Sequence, residues 1–468
     1  MICVHFFTYK WHMECIQNLK LDQITLEIKH KSIETVKMKM EMKVKESAVV
    51  KPAPAKPRST IWISNLDAIL PENYHTRTHI FYRPTAVPDF FDAAVLKAAL
   101  ARTLSEFYPV AGRLNKDAKG RIEIDCNGEG AAFVEAEVDA DLNDLEDFAP
   151  HPDFCLTPEV DYSQGISSFP LLLVQVTRFK CGGVCLGVAM DHQVKDGISA
   201  LHILKTWCDI ARGLDIGVLP YLDRRVLAAR TPPQPKFNHV EFHPPPALKT
   251  HSNVSGTRFS MFPLTRDQLN ILKASCQEDH GKTPPYTSFV ALTGHVWRCI
   301  CKARRLPKDQ ETKLTIIVDG RSRLRLPLPP GYFGNAVFKA SHIALSGEVE
   351  SKPLNFTIGK IREAVSRMDD EYLRSAIDYL EVEGGLHPNA RGTGLYKSPN
   401  LGITSWARLL FYEVDFGWGR PFYVGLGALP AEGHLIVMPT PVNDGSLALA
   451  IVLPEEHMKV FENIFYDI

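Results

Sequence analysis

Residues 171–197 read LLLVQVTRFKCGGVCLGVAMDHQVKDG, and this stretch decides the fold class. Leu172, Val174 and Val176 alternate with polar neighbours, Gly182-Gly183 supplies a tight turn, and residues 184–190 return as a second apolar run, which predicts a buried β-hairpin. Beyond Gly197 the apolar positions change period. Ile198, Leu201, Leu204, Cys208 and Ala211 recur at helical spacing, so a helix follows the hairpin. His192 and Asp196 therefore lie on the loop between a strand end and a helix start, where scaffolds commonly present functional groups. A His-x-x-x-Asp spacing is short enough to arise by chance, and a helix-capping Asp196 beside an ordinary polar His192 would account for the same residues. Its position on the loop and the trailing Gly197 give the pattern its weight.

Working outward, short alternating apolar runs mix with helical patterns from Val44 onward, which predicts an α/β or α+β chain rather than a bundle or sandwich. Asp92 is placed to cap a helix carrying Ala94, Leu96, Leu100 and Leu104. Six prolines between 231 and 256 (Pro232, Pro233, Pro235, Pro244, Pro245, Pro246) exclude a regular helix or central strand there and mark an extended crossover. The sequence after Leu264 starts another helix. We accordingly read an N-terminal domain over 42–230, a crossover over 231–257 and a C-terminal domain over 258–468. Residues 1–41 form an extension, expected to be disordered, ahead of an alternative start at Met40 or Met42; they lack the apolar centre and cleavage site of a secretory signal.

The 468 residues carry 53 Lys+Arg against 54 Asp+Glu, so no global positive field exists to hold nucleic acid. No apolar run approaches membrane-spanning length. The 10 cysteines show no paired Cys-x-x-Cys or His clusters, so no metal site is expected, and reduced thiols in a cytoplasmic location fit the pattern. A second string, VDFGWGRP at 414–421, is rich in rare residues. Asp415 as a base and Trp418 as a stacking platform are one reading; glycines at 417 and 419 permitting close backbone approach over a pinned aromatic are the stronger one.

HQVKDG at 192–197 followed by DFGWG at 415–419 resembles the BAHD family of plant acyl-CoA-dependent acyltransferases. Further strings, FYPVAGRL (107–114), IEIDCNGEG (122–130), VDYSQGIS (160–167), LPPGYFGN (328–335) and PNLGITSW (399–406), are similar to its hydroxycinnamoyl-CoA:shikimate/quinate hydroxycinnamoyltransferase branch. The resemblance implies two chloramphenicol-acetyltransferase-like domains with mixed sheets, flanking helices and a channel between them. It implies His192 as general base, Thr404 and Trp406 as oxyanion donors, and Asp196 turned away from substrate to pair with Arg321. It further implies a structural role for Gly197, Asp415, Gly417, Trp418 and Gly419. Arg391, Thr76, Thr78 and position 80 would meet the acceptor, with Thr287 and Ser288 on the CoA side. No cofactor is expected, because the CoA thioester is itself a substrate.

The function that follows is transfer of a p-coumaroyl or caffeoyl group from CoA to the hydroxyl of a small acid such as shikimate or quinate, without a covalent intermediate, by a monomer. The sequence departs from that branch. Asp191-His192-Gln193 stands where shikimate-using members read Arg-His-His, and Ile80 and Ala431 stand where they carry tyrosines. A pocket that loses hydroxyls binds a polyhydroxylated ring less well. An aryl-lactate, malate or amine acceptor, or a catalytically silent binding partner, are the alternatives.

Overall fold

In the computed structural model, which describes residues 41–145, 148, 150, 155–249, 256–276, 286–383, 392–428, 431–442 and 444–468, the hairpin forms between strands Leu172–Phe179 and Val184–Asp191. Leu172 faces Met190 and Arg178 faces Val184 across it, and Gly182 supplies the positive φ (80°) that its turn needs. Apart from Glu41, the N-terminal extension lies outside the described residues.

The hairpin is the middle of a six-stranded mixed sheet. Its order is Met42–Val50, Ala131–Val138, Leu172–Phe179, Val184–Asp191, His75–Tyr82 and Tyr423–Leu426. A second six-stranded mixed sheet is ordered Val337–Leu345, Glu311–Asp319, Leu401–Ser405, His434–Pro439, Leu447–Pro454 and Thr257–Leu264. A small three-stranded sheet joins Ser59–Trp62, Ile122–Cys126 and Arg113–Lys116. The mixed α/β class read from the sequence is the class observed. Among the described residues no helix is long and apolar enough to cross a membrane.

Each large sheet buries one face under helices. Helix Ala93–Glu106 starts where Asp92 accepts a hydrogen bond from the Val95 N–H, and it packs with helix Gly197–Ala211 over the first sheet. Helix Ser288–Ala303 lies at the centre of the second core, against helices Leu354–Ser366 and Glu455–Phe465. Over its described residues 231–249 the proline-rich stretch is irregular apart from one turn at Val240–Phe242, and part of the backbone at its start is satisfied from outside. The Asp378 carboxylate accepts from the N–H groups of Arg230 (2.8 Å) and Gln234 (2.7 Å).

One strand crosses between the halves of the sequence: Tyr423–Leu426 adds to the first sheet beside His75–Tyr82, with Val424 opposite Ile80. The DFGWG turn delivers it. Asp415 Oδ1 accepts from the N–H groups of Gly417 (2.8 Å) and Gly419 (3.0 Å), whose φ of 101° and 107° only glycine adopts without strain. This fold-back drives Phe416 and Trp418 into the first core. Phe416 meets Trp207 edge-on at 4.8 Å, Trp418 lies 5.1 Å from Phe91, and Tyr82 donates to the Val414 carbonyl at 2.7 Å. Trp418→Ala removes most of a buried indole from this junction. It is expected to lower unfolding free energy by about 3–5 kcal/mol in urea titrations, with turnover per folded molecule within about twofold of the parent.

Candidate active site

Asp191 ends a strand, Gly197 begins a helix, and the loop between them is held through its own carbonyls. The His192 carbonyl accepts from Asn335 Nδ2 (2.9 Å), those of Gln193 and Val194 accept from the Arg224 guanidinium (3.3 and 2.6 Å), and the His192 N–H donates to the Tyr74 carbonyl (3.0 Å). Arg224 is itself buried, with Asp67 at 3.1 Å, and Asp67 also accepts both Asn335 N–H and Asn335 Nδ2 (2.8 Å each). Asp67, Arg224 and Asn335 were missed in the sequence reading, although Asn335 closes one of its family strings.

Asp196 closes the loop. Its carboxylate takes both Arg321 terminal nitrogens (2.7 and 2.9 Å), caps the following helix through Ser199 N–H (3.0 Å) and accepts from Ala336 N–H (3.0 Å). Burial works against its ionisation, yet the Arg321 charge and these hydrogen bonds outweigh burial and hold the carboxyl below its usual range. None of these hydrogen bonds goes to His192. Gly197 lies tight against the other half of the sequence, where a Cβ would fall 2.8 Å from Leu409 Cδ1. Leu409 N–H in turn bonds the Trp406 carbonyl (2.8 Å), so the turn at Gly197 abuts the segment that follows Trp406.

The His192 ring stacks on Tyr74, with centroids 6.0 Å apart and planes 18° from parallel. Its Nδ1 is buried without a side-chain or distant hydrogen-bond partner among the described residues. Burial, reinforced by the Lys195 charge, pulls the imidazole down to about 4, against smaller opposing effects of its own carbonyl and Asp196. It is therefore neutral at physiological pH. Lys195 is drawn down to about 8 by burial, with Asp196 and Asp191 opposing. Burial also pushes Asp191 up to about 7; its Oδ1 accepts from Gln193 N–H (2.9 Å), and Oδ2 has no partner among the described residues.

Strand alternation separates the remaining residues. Thr76 and Thr78 lie opposite Met190 and Val188, while Asp191 lies opposite His75. The carboxyl that reverses charge in the motif thus belongs to the face opposite the two threonines. Thr76 Oγ1 is buried with no partner among the described residues, and Ile80 is wholly enclosed in the first apolar core. From the second sheet, Thr404 Oγ1 lies 2.9 Å from His434 Nε2, and Trp406 N–H bonds the Val437 carbonyl (2.7 Å) while its indole joins the first core. Thr287 is exposed and caps helix Ser288–Ala303 by accepting from Val290 N–H (3.3 Å). No contact among the described residues links Thr287 or Ser288 to His192. Arg391 lies outside the described residues.

A neutral imidazole on a loop held by its carbonyls, with the nearby aspartate engaged by Arg321, is not the arrangement of a Ser-His-Asp relay. The sequence model of the Transferase family matches residues 40–468, and the chain belongs to this family, the BAHD acyltransferases. It is 54% identical over 436 residues to a shikimate O-hydroxycinnamoyltransferase of Nicotiana tabacum and 49% identical over 436 residues to a rosmarinate synthase of Plectranthus scutellarioides. Both alignments cover 92% of this chain and 100% of the relative. The crystal structure of vinorine synthase shares the fold, with a TM-score of 0.67 at 23% identity over 90% of this chain and 96% of that one.

Four buried histidines contribute to the acid stability. Burial holds His192, His75 and His434 at about 4 and His79 at about 3, against an ordinary 6.5. Between pH 6.5 and 4 the unfolded chain binds these four protons and the folded chain does not. Asp191, at about 7 when folded and 3.8 otherwise, binds one in the folded state. Near pH 5 the unfolded state therefore holds a net three more, and stability falls with acid by at most about 4 kcal/mol per pH unit from these groups. Urea midpoints are expected to drop steeply from pH 6.5 to 5; equal midpoints at pH 7 and 5 would contradict neutral burial.

Proposed function

We propose that the chain transfers a hydroxycinnamoyl group, p-coumaroyl or caffeoyl, from CoA to the hydroxyl of a small acid such as shikimate or quinate. The observation that carries this reading is His192: neutral, and set on a loop whose carbonyls at 192 and 193 are held by Asn335 and Arg224. In this mechanism Nε2 takes the acceptor's hydroxyl proton as the oxygen attacks the thioester carbon. The resulting tetrahedral oxyanion receives hydrogen bonds from Thr404 Oγ1 and the Trp406 indole N–H. Its collapse breaks the C–S bond and expels the CoA thiolate, which recovers the proton from the imidazolium. The thioester is already activated, so no enzyme nucleophile is needed. Asp196 and Lys195 act on the forming imidazolium with opposite sign, the first favouring it and the second opposing it.

Arg391 is our candidate for gripping the acceptor carboxylate, since a planar guanidinium binds a carboxylate through two parallel hydrogen bonds. Thr76 and Thr78 would meet the acceptor's hydroxyls, and Thr287 and Ser288 the pantetheine side. Ile80 favours a second reading. A branched alkyl group enclosed in the core offers no hydroxyl to a polyol ring, and with 49% identity to a rosmarinate synthase this supports an aryl-lactate acceptor.

Thiol release from p-coumaroyl-CoA and caffeoyl-CoA, measured with shikimate, quinate, aryl-lactates, malate and amines, tests the reaction and ranks these acceptors. Release that no acceptor stimulates would overturn the transferase reading. His192→Ala is expected to lose roughly 10²–10⁴-fold in kcat with an unchanged circular dichroism spectrum; near-normal turnover would remove His192 as base. Arg391→Ala is expected to raise the acceptor KM far more than that of the CoA ester.

A further inference from the structure

His434 opens strand His434–Pro439 and pairs in register with Gly402, two residues before Thr404 on the neighbouring strand. Its Nε2 lies 2.9 Å from Thr404 Oγ1. The Tyr396 ring packs on the imidazole, with centroids 5.0 Å apart, and also closes over Gly402, where a Cβ would fall 2.3 Å from the ring. The imidazole is thus confined between an aromatic lid and the hydroxyl it contacts. It also belongs to the His192 surroundings. The Tyr74 that stacks on His192 acts electrostatically on Tyr396, and His434 acts on His192 directly.

A threonine hydroxyl has one hydrogen, and a neutral imidazole has one N–H. If Thr404 donates to Nε2, that hydrogen is no longer available to an oxyanion. If Nε2–H donates to Oγ1, the hydroxyl hydrogen points elsewhere, and preorganised donors of this kind carry large rate effects. We infer that His434 is a positioning residue whose Nε2–H donates to Thr404 Oγ1 and so directs the threonine hydrogen at the oxyanion. Burial, which keeps the ring neutral, makes the choice of tautomer decisive. The inference rests on the reading of Thr404 as an oxyanion donor.

Steady-state kinetics of Thr404→Val, His434→Leu, His434→Gln and the Thr404→Val/His434→Leu double variant separate the two. Thr404→Val is expected to lower kcat by roughly 10²-fold, the loss typical of one oxyanion donor. His434→Leu should lower kcat about tenfold with both KM values within about threefold, His434→Gln should recover most of it through its amide N–H, and the double variant should be no slower than Thr404→Val. Normal turnover in Thr404→Val would remove the oxyanion reading of Thr404 and leave His434 no hydroxyl to direct. Slow Thr404→Val with normal or faster His434→Leu would assign the opposite tautomer and overturn the inference. So would fully additive losses in the double variant, which would mean that His434 acts by another route.

Discussion

The bidentate contact between Asp196 and Arg321 is the constraint on which the site depends. It joins the N-terminus of a helix on the first sheet to the residue two positions past a strand of the second. A buried ion pair contributes little net stability, because desolvation offsets most of the attraction, but removing one partner leaves a charge stranded. The pair therefore fixes geometry more than it adds free energy. Arg224 extends the same logic: a second buried cation draws two consecutive loop carbonyls toward itself while Asp67 balances its charge. His192 is thereby set from the backbone outward, and its ring needs no carboxylate to orient it.

This arrangement has an electrostatic consequence. Burial holds His192 and the neighbouring His434 neutral and raises Asp191, one residue before His192, to about 7. In such a medium a hydrogen bond from a neutral donor to a developing oxyanion is worth much more than in water. In the proposed mechanism the same medium opposes the transient imidazolium. Asp196 supplies the compensating negative charge even though all its hydrogen bonds are directed elsewhere. A carboxylate can thus assist a base at a distance without holding it.

Local features were legible in the sequence because their causes are local. Period-two alternation gave the hairpin, Gly182 its turn, and Asp92 and Asp196 their helix starts. The partners that turn the loop into a site were not legible in that way. Asn335 reaches the His192 carbonyl across 143 residues and Arg224 the Val194 carbonyl across 30, and no periodicity encodes which distant donor will meet a given carbonyl. His434 escaped notice for a related reason: it opens an otherwise apolar strand and acquires meaning only beside Thr404. The motif charge at Asp191 was visible, but its face was not. The cross-strand register with His75 sets it apart from Thr76 and Thr78.

The same register explains why a turn as remote as DFGWG belongs to the site. Asp415 tightens the turn, and the chain then enters the strand Tyr423–Leu426, which pairs Leu426 with Thr78 and Val424 with Ile80. The strand that carries Thr76 and Thr78 is therefore held between two partners. One is the hairpin strand that ends at Asp191, one residue before His192, and the other is the strand launched by DFGWG. A slip of this strand by one residue against its partners would exchange its two faces and carry the threonines into the positions of Arg77 and His79. The two motifs thus act on one strand from opposite edges: the first follows the hairpin strand paired with it, and the second launches the strand that pairs with its other side.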